Sequence, residues 1–142
     1  MKTRLFVVIG LMVAVAALTG CQKEKYGRCP VYGNIYMSPN PAYEGDTVRF
    51  MVEVLDNGYH YYKGQYEWKM SGMESWVRDT IIMDPENCKP GQISITMPVN
   101  VAGNHRIGMY AKFNMSAILP SGQLYGEARA KDLNFTVKSR KK

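Results

Sequence analysis

Apolar and polar residues alternate along residues 46–55, which read DTVRFMVEVL. The even-numbered positions from 48 onward are valine or phenylalanine, and most odd-numbered positions are polar. A period of two is typical of a strand that buries one face and exposes the other. This segment is therefore predicted to be a half-buried β-strand.

The same alternation recurs along much of the remaining chain. Turn-forming glycine, proline, asparagine and aspartate residues separate the segments, and no stretch shows a convincing helical period. Trp68 falls on the apolar parity of its segment and is the expected core aromatic. Residues 119–126 (LPSGQLYG) are predicted to be a hairpin loop. The further strands are predicted over residues 34–37, 64–71, 76–83 (weakly), 92–98, 104–114 and 128–138.

About seven short strands separated by turns predict an antiparallel β-sandwich of two sheets. The order SPNPAYEGDTVRFMVEV, then Trp68, then ISITMP, AGNHRIGMYAKF and LNFTV resembles bacterial immunoglobulin-like and PKD-like domains. The resemblance covers residues 34–138 and implies an all-β, immunoglobulin-like sandwich. It does not extend to PKD membership, because Lys69-Met70 follows the tryptophan and His105 replaces the usual tyrosine.

The chain begins with a basic and then apolar segment. Lys2 and Arg4 precede an apolar run over residues 5–18. A helix needs roughly 20 apolar residues to cross a bilayer, so this run is too short to span one. A basic start, a short apolar core and small residues are typical of a secretory signal peptide.

Leu18-Thr19-Gly20-Cys21 resembles the bacterial lipobox. The resemblance implies cleavage before Cys21, a diacylglycerol thioether on its sulfur and an acylated, for example palmitoylated, new amino terminus. Several acyl chains anchor a protein firmly without a membrane span. Gln22 is not the aspartate that favours inner-membrane retention, so outer-membrane anchoring is expected, with the periplasmic face and the cell surface both open.

This interpretation divides the chain into four parts. They are a signal peptide (1–20), a lipidated tether (21–33), the sandwich (34–138) and a basic tail (139–142). The net charge of +6 lies at the ends, because residues 29–137 hold nine basic and eleven acidic residues, which is 9 − 11 = −2. A basic nucleic-acid platform is therefore not expected. The tail is either solvated or close to anionic lipid headgroups.

Cys29 and Cys88 remain after Cys21 is assigned to the lipid. An exported protein reaches a compartment that permits disulfides, so a Cys29–Cys88 bridge is possible. It would contribute roughly 3 to 4 kcal/mol by restricting the unfolded chain. Two separate reduced thiols are the alternative.

An aromatic cluster is the candidate binding patch. Tyr59, Tyr61 and Tyr62 precede the tryptophan strand, and Trp76 follows it. Tyrosine and tryptophan offer flat, amphipathic contact area for a sugar ring or a protein partner. At period two Tyr59 and Tyr61 share a face, so one parity of the cluster is expected in the core.

The sequence carries no recognisable catalytic motif. His60 and His105 lack the helical spacing of a zinc protease, and no GxSxG or phosphate-binding glycine loop is present. His105 is expected to be a corner residue bonded to backbone. The predicted function is therefore non-catalytic binding or scaffolding, with no metal and no cofactor.

Two alternatives to a binding domain remain open at this point. A small envelope hydrolase would act on glycans through loop carboxylates over residues 79–86, including Asp79, Asp84 and Glu86. A structural subunit would complete its sheet with a strand from a partner in a surface assembly.

Overall fold

The computed structural model describes residues 25–72, 77–81 and 93–140. Every regular element within these ranges is a β-strand, and none of the described residues forms a helix able to cross a membrane. The strands are β1 (Val31–Ser38), β2 (Ala42–Tyr43), β3 (Asp46–Asp56), β4 (Tyr61–Met70), β5 (Val77–Ile81), β6 (Ser94–Val99), β7 (Gly103–Met115), β8 (Tyr125–Arg129) and β9 (Leu133–Lys138).

The strands form two sheets that pack face to face. The first has the order β1-β3-β6, and the second has the order β2-β9-β7-β4-β5, with β8 added to β7. The pairings are antiparallel except for β2 with β9. This is the strand arrangement of an immunoglobulin-like sandwich, in which the two sheets have Greek-key connections. The predicted fold class is confirmed.

Strand β7 is the centre of the larger sheet. One of its edges pairs with β4, and the other edge is shared by β9 near its start and β8 near its end. Between those two strands, Asp132 binds the guanidinium groups of Arg106 (Nε to Oδ2, 2.8 Å) and Arg129. Gly108 leaves room for this carboxylate, because a Cβ there would lie 2.7 Å from Asp132 Oδ1.

The core is made by the apolar parity of the strands. Val48, Phe50 and Val52 are buried as the alternation predicts, and Trp68 is 1% exposed. Phe113 stands at the centre of an aromatic group and contacts the rings of Tyr32, Tyr61 and Tyr66 at centroid distances of 6.4, 5.2 and 6.1 Å. Burying one such side chain contributes about 1.5 to 3 kcal/mol.

The sandwich begins earlier than residue 34, so the predicted boundary of the tether is wrong. Strand β1 starts at Val31, and Tyr32 is buried. Arg28 already forms a backbone bridge to Tyr59. Glycine and proline residues and a register shift near Tyr32 interrupt the period-two pattern there, which hid this part of the strand.

The last predicted strand, residues 128–138, is two strands. Strand β8 starts at Tyr125, inside the predicted hairpin loop, and ends at Arg129. Strand β9 begins at Leu133, just after Asp132. The two-residue strand β2 was too short to produce an alternating pattern. His105 is the expected corner residue: its Nε2 lies 2.8 Å from the carbonyl oxygen of Val101, and its ring stacks on Phe135.

Candidate functional site

Tyr61 does not belong to an exposed patch, and that part of the aromatic hypothesis is wrong. It is the first residue of β4, and its side chain, 2% exposed, points between the sheets. Its hydroxyl donates to the carbonyl oxygen of Asn57 at 2.8 Å, and its ring meets Phe113 edge to face. The next residue, Tyr62, is 55% exposed, so the expected division of the cluster by parity does occur.

Tyr59 is half-buried and helps to fix the N-terminal segment. The Arg28 guanidinium lies 4.9 Å from the Tyr59 ring centroid and 2.5 Å from Asp56 Oδ2. The other Asp56 oxygen accepts the backbone N–H of Gly58 at 2.8 Å. The Gly58 N–H, and then the Arg28 guanidinium, hold the pKa of Asp56 below its usual range. We call Arg28, Asp56, Gly58 and Tyr59 the N-terminal clamp.

Three predicted site residues, Cys21, Cys88 and Trp76, lie outside the described residues. Cys29 is described, and within the described residues its sulfur forms no disulfide. Its Sγ lies 3.9 Å from Met115 Sδ, and partial burial raises the pKa of the thiol. The Cys29–Cys88 bridge, the acylation of Cys21 and the role of Trp76 stay predictions.

A cavity of about 380 Å³ opens on the outer face of the larger sheet. Strand pairing explains how its walls are assembled, because Lys63, Asn114 and Tyr125 form one row across β4, β7 and β8. A second row across the same three strands consists of Gln65, Lys112 and Glu127. We call this the sheet-face cavity; its lining residues are Lys63, Gln65, Lys112, Phe113, Asn114, Tyr125, Gly126 and Glu127.

Two charged residues of the sheet-face cavity, Lys112 and Glu127, contact side chains that lie beside it. Lys112 Nζ lies 3.9 Å from Glu67 Oε1 and 5.6 Å from the centroid of the Tyr110 ring. The Tyr110 hydroxyl hydrogen-bonds Glu127, which with partial burial raises the pKa of Tyr110 to about 12. In this hydrogen bond the phenol is the donor and the Glu127 carboxylate is the acceptor.

Tyr125 is the most exposed large hydrophobic side chain among the described residues, at 73%. It stands at one wall of the sheet-face cavity, beside an amide from Asn114 and an ammonium from Lys63. A flat aromatic face next to convergent donors and acceptors suits a ligand that has both an apolar face and hydroxyl groups. The cavity thus combines an apolar ring with hydrogen-bonding and charged groups on one surface.

Sequence reasoning missed Tyr125, which it placed in a loop without a role. It did predict that Gln65 and its neighbours of the same parity face away from Trp68. What it did not provide was the pairing register, which aligns Gln65 with Lys112 and Lys112 with Glu127. The only usable signal was the run of polar residues on the outer parity of the two longest adjacent strands.

Of the three carboxylates named for the hydrolase alternative, only Asp79 lies within the described residues. The backbone of Asp79 pairs with Tyr66 in the sheet, whereas Asp84 and Glu86 lie outside the described residues. Across the described ranges, no group of three or more His, Cys, Asp or Glu side chains is arranged to hold a metal ion.

Comparison with known proteins adds a structural likeness. No family model matches the chain, and no curated protein matches it. Among solved structures, the chain is similar to the PKD domain from human VPS10 domain-containing receptor SorCS2. The TM-score is 0.48 at 14% sequence identity, and the match covers 86% of this chain and 85% of the PKD chain. The class defined by the strand order itself is an immunoglobulin-like β-sandwich.

Proposed function

We propose that this protein is a lipid-anchored protein of the bacterial outer membrane whose sandwich is a non-catalytic binding domain. The observation that supports a binding role most directly is the sheet-face cavity, where the exposed Tyr125 ring stands beside ordered polar groups. The lipobox at Cys21 supports the anchor, and the nature of Gln22 supports the outer membrane as its location.

The chemistry of the sheet-face cavity favours a glycan as the ligand. A sugar ring has an apolar face that stacks on tyrosine, and its hydroxyl groups act as both donors and acceptors. Gln65 and Asn114 supply amides, and Lys112 and Glu127 supply opposite charges. The cavity is open on the sheet surface, so one segment of a longer saccharide chain fits it better than an enclosed small molecule.

Tyr125→Ala is expected to abolish or strongly reduce glycan binding, because it removes the stacking platform while leaving the strand pairing of β8 intact. Binding of the mature acylated protein to a glycan array, with the best glycan then titrated, measures the effect. Lys112→Ala removes one charged group of the cavity in the same assay and is expected to weaken glycan binding less than Tyr125→Ala does. Unchanged binding in both variants contradicts the assigned site.

Tyr36→Ala is the matched control for this experiment. Tyr36 is 50% exposed, but it belongs to β1 in the other sheet. Its removal is expected to leave the glycan titration unchanged. Loss of binding in Tyr36→Ala alone would move the ligand to the opposite face of the sandwich.

A further inference from the structure

We infer that one end of the sandwich docks on the lipid surface to which the protein is anchored. This end, the N-terminal pole, is formed by residues 25–31, 55–63 and 114–126. The backbone holds these three segments together through Gly27 N to Ile118 O at 2.9 Å and Arg28 N to Tyr59 O at 3.0 Å. The inference rests on the proposed acylation of Cys21, and it assigns to the pole a lipid contact beyond the anchor itself.

The short covalent link to Cys21 keeps the N-terminal pole near the bilayer. Four residue steps separate Cys21 from Lys25. Four residues span at most about 14 Å when fully extended. From Arg28 onward the chain is fixed to the sandwich by the N-terminal clamp. An acylated Cys21 therefore keeps Lys25 within about 14 Å of the lipid-bearing residue.

The N-terminal pole is the most apolar part of the described surface. Eleven large hydrophobic side chains of the described residues remain exposed, and seven of these belong to the pole. Three of the seven are tyrosines, which favour the interface between water and lipid. The seven are Tyr26, Val31, Leu55, Tyr62, Ile118, Leu124 and Tyr125. Tyr125 also lines the sheet-face cavity, so it is left out of the lipid contact and the cavity opens beside the docked surface.

The loop between β7 and β8 provides the tip of the pole. Residues 116–124 read SAILPSGQL and contain no charged side chain. Ile118 and Leu124 are each 50% exposed, whereas Leu119 packs against the core. Backbone bonds from Leu119 N to Gln123 O and from Gly122 N to Leu119 O already order the loop. Insertion into the headgroup region thus requires no further folding.

The charge of the pole suits a phospholipid surface. Its described side chains include three cations, Lys25, Arg28 and Lys63, and one carboxylate, Asp56, which is 3 − 1 = +2. Asp56 is paired with Arg28, so the unpaired charge is positive. Lysine and arginine next to apolar residues are typical of segments that rest on anionic headgroups.

The opposite pole lies far from this surface. Strand β7 has 13 residues and runs from Gly103 to Met115 at the N-terminal pole. At the usual rise per residue it is roughly 40 Å long. Val101 and Lys138 belong to the far end, since Val137 pairs with Gly103. Docking through the N-terminal pole therefore orients β7 away from the membrane surface, with the far end pointing outward. We call this the upright orientation.

Fluorescent probes at the two poles test this orientation. Ile118→Trp and Val101→Trp place a tryptophan at exposed positions of the near and far poles. Each mature acylated variant is reconstituted in phosphatidylcholine vesicles that contain anionic lipid, with and without brominated acyl chains. The tryptophan emission of the parent protein is subtracted. We expect brominated lipid to quench Ile118→Trp and to leave Val101→Trp unchanged.

The possible results distinguish the proposed acylation of Cys21 from the inferred contact between the N-terminal pole and lipid. Mass spectrometry that finds no acyl groups on Cys21 overturns both. An acylated Ile118→Trp that is not quenched, or equal quenching of both variants, overturns the docking alone. Shielding of Ile118→Trp from a water-soluble quencher without any bilayer identifies a second copy of the chain as the occupant and also overturns the lipid contact.

Discussion

Gly126 lines the sheet-face cavity and also packs against Cys29, which lies just before strand β1. It lies on β8, where a Cβ atom would stand 1.9 Å from Cys29 Sγ and 3.5 Å from Met115 Sδ. The half-buried thiol therefore occupies the space that a larger residue at position 126 would need. A side chain there must displace the sulfur or the strand.

Gly126→Ala is expected to lower the free energy of unfolding by about 1 to 3 kcal/mol, because overpacking forces neighbouring atoms out of place. Urea unfolding of the acylated protein in detergent measures this loss. In the Cys29→Ala background the same change is expected to cost less, since the clashing sulfur is gone, and contacting residues typically couple by about 0.5 to 3 kcal/mol. Strictly additive losses contradict the proposed contact.

At the scale of elements, the N-terminal clamp holds the segment before β1 to the turn between β3 and β4. The pKa of Asp56 is lowered by the Gly58 N–H and by Arg28. A carboxyl whose folded-state pKa is depressed stabilises the fold above its unfolded pKa, about 3.9 for aspartate. That contribution is lost as the pH falls through the lower, folded-state pKa.

Asp56→Asn is therefore expected to lower Tm at neutral pH and to make no difference at a pH below the folded-state pKa of Asp56. Melting curves of wild type and variant between pH 7 and pH 2 give this comparison. Glu44→Gln, an exposed carboxylate outside the clamp, is the control for charge removal. A Tm difference between wild type and Asp56→Asn that is the same at pH 2 as at pH 7 contradicts the role assigned to the carboxylate.

The elements that sequence alone predicted well are those with one buried face. Residues 46–55 and 104–114 alternate cleanly because each packs its apolar parity against the other sheet, and β3 and β7 match them closely. The start of β1 and the break at Asp132 were missed because register shifts and ion pairs determine them. The sheet-face cavity was missed for a similar reason: its walls come from three strands whose alignment no single segment contains.

At the scale of the whole molecule, the upright orientation inferred above determines which charged residues lie near the lipid surface. Lys25 belongs to the N-terminal pole, whereas Lys138 belongs to the far end of β9 beside Gly103. Electrostatic attraction to anionic lipid falls off within about one Debye length, roughly 8 Å at physiological salt. Of the two alternatives for the basic tail, a solvated tail agrees with the upright orientation inferred above, and contact with headgroups conflicts with it.

Lys25→Gln is expected to weaken docking by about 1 kcal/mol on anionic vesicles. The salt concentration that reverses lipid quenching of Ile118→Trp should fall in this variant. Lys138→Gln is the matched control and should leave that concentration unchanged. A larger effect from Lys138→Gln would mean that the sandwich lies on its side.

The placement of Lys25 and Lys138 at opposite ends also determines how the domain responds to force. If an acylated Cys21 holds the N-terminal pole at a membrane, a pull applied at the far end loads the molecule along its strands. Antiparallel ladder hydrogen bonds run perpendicular to the strands, so such a pull shears many of them at once and does not unzip them singly. The two-sheet fold is therefore expected to resist a pull applied between these two ends.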